Sequence, residues 1–317
     1  MTMKRWAGAA VLLAAVVMAG CGGGDRPAAN ADAPRFDPRF LMDNDIWREQ
    51  RQAELLAPDG WTSLVGLHWL ELKAHYIGSG STSGIRLAMG PPRLGMVVRD
   101  GGRYWFTPEP GVAVQVDGQA MKGRIPFHAD DEADPTVIAF DDGKGALSLI
   151  HRGQRHALRV KHADAPARIH FGHLDYWPAD LSWRITARFV PHDAGKTMPV
   201  VDITGLTTEQ ANAGAIEFER DGRTWRLEAL GEPGRSLFVI FADRTSGRGS
   251  YAAGRYIDLD APDSRSQVVI DFNRAYNPPC AFTPFATCPL PPPENRLDLP
   301  VEAGEKAYVK PEQGDAA

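Results

Sequence analysis

Charged and polar side chains come directly after two apolar runs in the second half of the sequence. Asp243 follows the run Leu237–Phe241, and Asp271 follows the run Val268–Ile270. Near them stand a guanidinium, two phenols and two carboxamides, on Arg255, Tyr256, Tyr276, Asn273 and Asn277. Apolar runs of this length form rigid strands, which can hold such groups in place for recognition. All these side chains are therefore candidates for binding a small ligand.

Two chemistries and a structural role are open for this cluster. In a binding protein, a small polar or sugar-like ligand would lie between Arg255, Asp271, Asn273 and Tyr276, with aromatic rings as walls. In a hydrolase, Asp243 or Asp271 would act as general base while Arg255 stabilised developing negative charge. In a structural role, Arg255 would pair with Asp271, and the asparagines would satisfy backbone groups. Convergence of these side chains in one pocket would favour a ligand or an enzyme, and dispersal would favour the structural role.

Familiar catalytic motifs are missing from the sequence. It contains no Gly-x-Ser-x-Gly elbow, no Walker A loop, no His-Glu-x-x-His and no Cys-x-x-Cys. His170 and His173 are offset by three residues, which would place them on opposite faces of a strand. The sequence thus names no catalytic residue and predicts neither a metal nor a cofactor, so binding is favoured over catalysis.

The overall charge excludes one class of partner. A formal net charge of -5 and a pI near 6.0 provide no basic surface for nucleic acid. Nucleic-acid binding is therefore not expected.

A segment rich in proline, aromatic residues and cysteine extends from Asp271 to Asn295. Its prolines are incompatible with a helix or a central strand. Its aromatic and cysteine content argues against disorder. The segment is predicted to be an ordered loop, and long ordered loops are usually functional.

The first residues indicate export. Lys4 and Arg5 precede an apolar run over Trp6–Ala19, and Met18-Ala19-Gly20-Cys21 has the form of a lipoprotein cleavage site. A membrane-spanning helix is the alternative, but the run is shorter than the ~20 residues such a helix needs. We expect Cys21 to carry acyl chains that anchor the protein to the cell envelope. Gly22 favours the outer membrane, facing the periplasm, if the cell is Gram-negative.

The two other cysteines are expected to form a disulfide. Lipidation of Cys21 leaves Cys280 and Cys288 as a pair in an oxidising compartment, where disulfides persist. Free thiols and a metal-bound pair are the alternatives. The spacing is not that of a structural zinc site, so the metal alternative has little support.

The elements that position these residues are mainly strands. One helix is predicted near the N-terminus, capped by Asp43 or Asn44 and ended by Pro58-Asp59-Gly60. Its apolar face would consist of Ile46, Trp47, Ala53 and Leu56. Asp-Gly turns recur between short β-rich runs, which is typical of an antiparallel sandwich or barrel.

Two hairpins and one half-buried strand are especially clear. The hairpins have their turns at residues 152–154 and 220–222. Apolar and polar residues alternate over Trp183–Phe189, which predicts that Arg184, Thr186 and Arg188 face solvent.

A division is predicted near residue 165, within Ala163-Asp164-Ala165-Pro166. The predicted organisation is a signal peptide over 1–20, a flexible tether over 21–42, an N-terminal helix with a β domain over 43–165, a C-terminal β domain containing the cysteine- and proline-rich loop over 166–306, and a disordered tail over 307–317.

Several motifs together resemble a known family. They are Trp47-Arg48 with Arg51, Asp59 to Leu70, Asp243 to Gly247, Gly254-Arg255-Tyr256, Asp271 to Pro292, Asn295, and Ala303 to Lys306. From Asp43 to Lys306 the chain resembles the bacterial family of unknown function DUF1684, as a lipoprotein member. Ser250 stands where a threonine is expected. The resemblance implies no reaction, cofactor or catalytic residue.

The first half also resembles a degenerate forkhead-associated sandwich around Tyr76-Ile77-Gly78-Ser79 and Asp117-Gly118. It lacks the arginine and the Ser-x-x-His motif that phosphothreonine binding needs.

Overall fold

The computed structural model describes residues 37–311, which fall within one compact unit. The predicted signal peptide, Cys21 and most of the predicted tether lie outside the described residues, as do residues 312–317. No helix in residues 37–311 combines the length and the apolar character needed to cross a membrane.

Helix α1 (Pro38–Leu55) begins earlier than the sequence predicts. The Oδ1 atom of Asp37 accepts hydrogen bonds from the backbone N–H groups of Arg39 at 2.9 Å and Phe40 at 3.3 Å. Pro38 occupies the first turn, where its missing N–H costs nothing. The predicted caps Asp43 and Asn44 are therefore wrong, and residues 38–42 belong to the helix instead of the tether.

The buried face of α1 also differs from the prediction. Phe40, Asn44 and Leu55 are its buried residues, whereas Ile46, assigned to the apolar face, is 46% exposed. The buried face includes a polar side chain, so apolar spacing could not identify it.

Up to residue 165, the described part of the chain contains eleven strands. They are β1 (Leu64–Trp69), β2 (Ala74–Gly78), β3 (Ile85–Arg86), β4 (Gly95–Asp100), β5 (Arg103–Pro108), β6 (Gln115–Val116), β7 (Gln119–Ala120), β8 (Ile125–Pro126), β9 (Val137–Phe140), β10 (Gly145–Arg152) and β11 (Arg155–His162). One sheet has the order β1-β11-β10-β9-β6-β7, and a second has the order β3-β2-β4-β5-β8. Val97 and Phe106 of the second sheet share a core with Ile138 and Leu147 of the first.

The second half forms a seven-stranded sheet. A short helix, α2 (Pro166–Ile169), precedes this sheet. The strands of the sheet are β12 (Arg184–Pro191), β13 (Thr197–Val201), β14 (Thr207–Arg220), β15 (Arg223–Leu230), β16 (Leu237–Phe241), β17 (Arg255–Leu259) and β18 (Gln267–Asp271). The order is β17-β16-β15-β14-β12-β18, with β13 paired to β14. Because the end strands β17 and β18 also contact each other, the sheet is a nearly closed barrel.

The predicted fold class is confirmed: the described chain is mainly antiparallel β-sheet with one main helix near the N-terminus. Both predicted hairpins are present, as β10–β11 and β14–β15. In the second, Asp221 and Gly222 have φ values of 53° and 67°, the left-handed conformation that a two-residue hairpin turn needs. Strand β12 exposes Arg184, Thr186 and Arg188, as its alternation predicts.

The predicted division near residue 165 falls between β11 and α2. Helix α1 nevertheless contacts the second half, where Leu55 shares a cluster with Leu174, Ala281 and Phe282. The two-domain division and the forkhead-associated likeness of the first half stay predictions.

The segment from Asp271 to Asn295 is an ordered loop, as predicted. It contains three single 3₁₀ turns, Phe272–Arg274, Pro279–Ala281 and Pro293–Asn295. The predicted disulfide joins Cys280 and Cys288, whose Cα atoms are 6.2 Å apart. A bridge closing so short a loop contributes about 2–3 kcal/mol to stability.

The chain beyond the barrel is also packed where the structure describes it. The ring of Tyr308 stacks on Phe171, with centroids 4.9 Å apart and planes at 10°. Residues 307–311 were assigned to a disordered tail, and that assignment is wrong for Tyr308 because its ring is held between aromatic neighbours.

Candidate functional site

Six of the seven predicted site residues form three pairs, and the seventh, Asn277, contacts Glu305. Asp243 pairs with Arg255, Asp271 contacts Asn273, and the rings of Tyr256 and Tyr276 pack edge to face. Among the seven, Asp271 is the residue that lines one of the three main clefts in residues 37–311. The four side chains proposed to surround a ligand thus do not meet in one of these clefts.

Asp243 and Arg255 form a buried ion pair at the end of the hairpin β16–β17. Arg255 lies opposite Phe241 in the register, so its side chain reaches Asp243 just beyond the strand, at 3.3 Å. Arg255 is 0% exposed. Its guanidinium also donates to the carbonyls of Val301 at 2.8 Å and Ala303. Burial lowers the pKa of Arg255, and the Asp243 carboxylate opposes that shift.

The Asp243 carboxylate is itself surrounded by donors. Its Oδ2 atom accepts from the Thr245 hydroxyl at 2.7 Å and from the backbone N–H of Val301 at 2.7 Å. The pair therefore ties the residues after β16 to the segment near Val301. Because both charges are buried and paired, this arrangement stabilises the fold. Neither charged group is accessible to a substrate.

The hypothesis that Arg255 pairs with Asp271 is wrong. Asp271 lies opposite Arg184 in the register of β18 and β12, and their charged atoms are 3.1 Å apart. The second oxygen of Asp271 accepts from the Nδ2 of Asn273 at 2.9 Å. Asn273 in turn accepts from the backbone N–H of Asp180 at 2.9 Å. Sequence proximity could not show that β12 would be the neighbour of β18.

The hydroxyl groups of Tyr256 and Tyr276 both donate hydrogen bonds to other residues of the protein. Tyr256 donates to the carbonyl of Pro289 at 2.7 Å, and Tyr276 donates to Asp258 at 2.8 Å. Burial raises the pKa of both phenols. These rings hold the cysteine- and proline-rich loop against β17.

A buried network around Glu305 contains the candidate Asn277 and two residues that the candidate set missed, Arg51 and Glu305. The Glu305 carboxylate, 0% exposed, accepts from Arg51 Nε at 2.9 Å and from the backbone N–H of Asn277 at 2.7 Å. Arg51 also donates to the Asn277 carbonyl at 3.0 Å. Burial raises the pKa of Glu305, and the Arg51 guanidinium opposes that shift. Both residues belong to motifs of the family resemblance, which is the signal that points to them.

A polar cleft of about 160 Å³ lies where the start of α1 meets the beginning of β12 and the end of β18. We call this the polar cleft. Its charged lining consists of Arg39, Arg184, Arg274, Asp37, Asp43 and Asp271. Arg184 and Arg274 approach Asp271 at 3.1 and 4.0 Å, whereas Arg39 forms no ion pair with any carboxylate in residues 37–311.

Asn44 also lines the polar cleft and is 2% exposed. Neither its amide oxygen nor its amide nitrogen has a hydrogen-bond partner among the described residues. The cleft can therefore offer guanidinium donors, carboxylate acceptors and an amide with both, which suits a compact polar molecule.

Comparisons with known proteins bear on the second half. Residues 169–306 match the model of the family described as protein of unknown function (DUF1684). The match contains every candidate residue from Asp243 to Cys288, whereas α1 and the first half lie outside it. A search of curated proteins found no match.

Among solved structures, the chain is similar to the solution NMR structure of an uncharacterized protein from Haloarcula marismortui. The two are 32% identical, and the alignment covers 45% of this chain and 80% of that one, with a TM-score of 0.38. A TM-score this low carries no argument about the fold. By its match to the family model, the region 169–306 of this chain belongs to the DUF1684 family.

Proposed function

We propose that this protein is a cell-envelope lipoprotein, anchored to the membrane through Cys21, that binds a small polar or sugar-like ligand. The ligand site is the polar cleft, between the start of α1 and the barrel. Asp271, a candidate from the sequence, contributes to it.

The orphaned amide of Asn44 is the observation that carries this proposal. A buried polar group without a partner costs about 1–3 kcal/mol, and folded proteins contain few of them. Asn44 leaves two such atoms beside a cleft. A ligand hydroxyl that reaches Asn44 would donate to its Oδ1 and accept from its Nδ2, so the cost is recovered on binding.

The charges of the cleft define the class of ligand. Its three arginines and three aspartates balance formally, so neither a strong anion nor a strong cation is favoured overall. Arg39 is the guanidinium with no described carboxylate partner and would take an acidic or carbonyl oxygen. A volume of about 160 Å³ suits a compact molecule or one end of a larger one, since a cavity of ~150 Å³ holds benzene.

Hydrolysis is less well supported than binding. Asp243 is closed off by Thr245, Val301 and Arg255, so it has no exposed edge from which to take a proton. Asp271 accepts hydrogen bonds from Asn273 and Arg184 and belongs to a different group of side chains from the Asp243–Arg255 pair. A structural envelope role is the second candidate, and the burial of the Asp243–Arg255 pair supports it.

Replacement of Asn44 with leucine tests the proposal. We expect Asn44→Leu to melt at a higher temperature than the ligand-free wild type, because leucine removes two buried polar atoms and is a better helix former. We expect the same variant to lose the ligand. Native mass spectrometry of the purified protein would show a copurifying small molecule on the wild type and its absence from the variant.

The control is Gln52→Leu, an exposed position of the same helix, which should retain the ligand. If Asn44→Leu kept the copurifying molecule, or if it were less stable than the ligand-free wild type, Asn44 would be structural and the proposal would fail.

A further inference from the structure

A second cleft lies between the first sheet, helix α2 and the disulfide loop. Its volume is about 360 Å³. Its walls include Leu64, Val65, Phe171, Phe282, Phe285 and Tyr308. We call this the apolar cleft. Its size falls in the range of ~300–1,000 Å³ that is typical of small-molecule sites, and its mainly apolar lining is typical of them too.

One wall is a preformed aromatic cluster. Phe171 and Tyr308 stack at 4.9 Å, and Phe282 contacts them at 5.9 and 5.1 Å between ring centroids. Behind them Leu55 and Leu174 belong to the same buried cluster. Because packing already orders these rings, a ligand would lose little free energy in arranging them.

The opposite lip belongs to the loop that the Cys280–Cys288 disulfide closes. Within that loop Phe282, Thr283 and Phe285 line the cleft. The backbone N–H of Phe285 donates to the Thr283 hydroxyl at 3.2 Å, which fixes the turn between them. The disulfide thus restrains the residues that shape the cleft.

The charged side chain that lines the apolar cleft is a cation. Lys310 and His170 are among its lining residues, and no aspartate or glutamate is. Apolar walls with a cation at the rim are complementary to a molecule that has an apolar body and an anionic group.

We propose that the apolar cleft binds a small amphiphile with an anionic group, such as a fatty or aromatic carboxylate. This site is separate from the polar cleft, so the inference does not rest on the proposed function. The aromatic wall and the side chains of β1 enclose the apolar body, while Lys310 faces the carboxylate.

Blocking the cleft tests the site. Laurate and its neutral counterpart dodecanol are titrated into the purified protein by calorimetry, laurate below its critical micelle concentration and dodecanol below its solubility limit. Ala167 and Ala88 are exposed residues that line the cleft. We expect Ala167→Trp to weaken binding of both molecules at least tenfold, and Ala88→Trp to do the same from the other side. Ala120→Trp, at an exposed position outside the cleft, should change neither.

Removing the rim charge tests the ligand class. We expect Lys310→Gln to weaken laurate about two- to fivefold, the effect of one exposed ion pair, and to leave dodecanol unchanged. Lys122→Gln is the matched control at an exposed lysine elsewhere.

Melting temperatures equal to that of the wild type establish that each variant is folded. Failure of the wild type to bind laurate would overturn the proposal. Laurate binding as tight as that of the wild type in folded Ala167→Trp and Ala88→Trp would also overturn it. Equal loss of laurate and dodecanol in Lys310→Gln would overturn its anionic part. The copurifying ligand lost in Asn44→Leu should remain in Ala167→Trp, which separates the two sites.

Discussion

Asp243 and Arg255 show how a group that is chemically suited to catalysis can be committed to stability. The carboxylate and the guanidinium are both buried, and each is bonded further to the backbone near Val301. Such a pair is strongly stabilising only in comparison with a variant that lacks one of the two charges. In that variant the remaining charge is buried without compensation.

At this site we expect Asp243→Asn to destabilise the protein by about 3–5 kcal/mol, since Arg255 would keep its charge in a buried position. Urea unfolding measures the change. Asp298→Asn is the matched control, because Asp298 forms an exposed pair with Arg244 whose side chains are 62% and 59% exposed. That control should change stability by less than about 1 kcal/mol. Equal effects of the two variants would contradict a structural role for the buried pair.

Asp271 differs from Asp243 in a way that only the structure reveals. Its partner Arg184 is 43% exposed at the side chain, and water can therefore compensate the loss of the carboxylate. Its replacement with asparagine should cost less stability than the same change at Asp243.

Among the elements, α1 joins parts of the chain that the sequence assigns to different domains. Arg51 reaches Glu305, and the Nη2 atom of Arg48 donates to the carbonyl of Trp177 at 3.1 Å. Leu55 completes the contact by packing with Ala281 and Phe282. The helix is therefore part of the support for both clefts.

The docking of α1 can be tested by two truncations on the same helix. Leu55→Ala should cost about 2–5 kcal/mol, because Leu55 is 0% exposed and its removal leaves a cavity. Ile46→Ala should cost no more than about 0.5 kcal/mol, since Ile46 is 46% exposed. Thermal or urea unfolding would distinguish them. The opposite ranking, which the sequence-based apolar face predicts, would mean that the helix docks through another face.

For the whole molecule, the described unit and the predicted anchor belong to different parts of the chain. Cys21 lies outside the described residues, so lipidation stays a prediction from the cleavage site.

Metabolic labelling with a fatty-acid analogue tests the anchor. We expect label on the wild type and none on Cys21→Ala, because the acyl chains need that sulfur. Cys280→Ala should keep the label, which controls for the loss of any cysteine. Equal labelling of wild type and Cys21→Ala would remove the lipoprotein assignment.

Local features of the fold follow from the sequence. The hairpin turns, the solvent face of β12 and the disulfide pair were all predicted, because strand alternation and turn conformation depend on neighbouring residues. The start of α1 was not, since Asp37-Pro38 stands in a stretch whose composition resembles a tether. Its cap is visible only once Asp37 is seen to accept from Arg39 and Phe40.

Partnerships across the chain were decided by the tertiary structure. Asp271 meets Arg184 because β12 and β18 become neighbours, and Arg51 meets Glu305 across a separation of 254 residues. Residue types and spacing identified charged side chains near strand ends, but the order of strands in the barrel determined which charges were paired and buried. The same packing isolated the amide of Asn44, because whether a polar side chain finds a partner depends on every element that surrounds it.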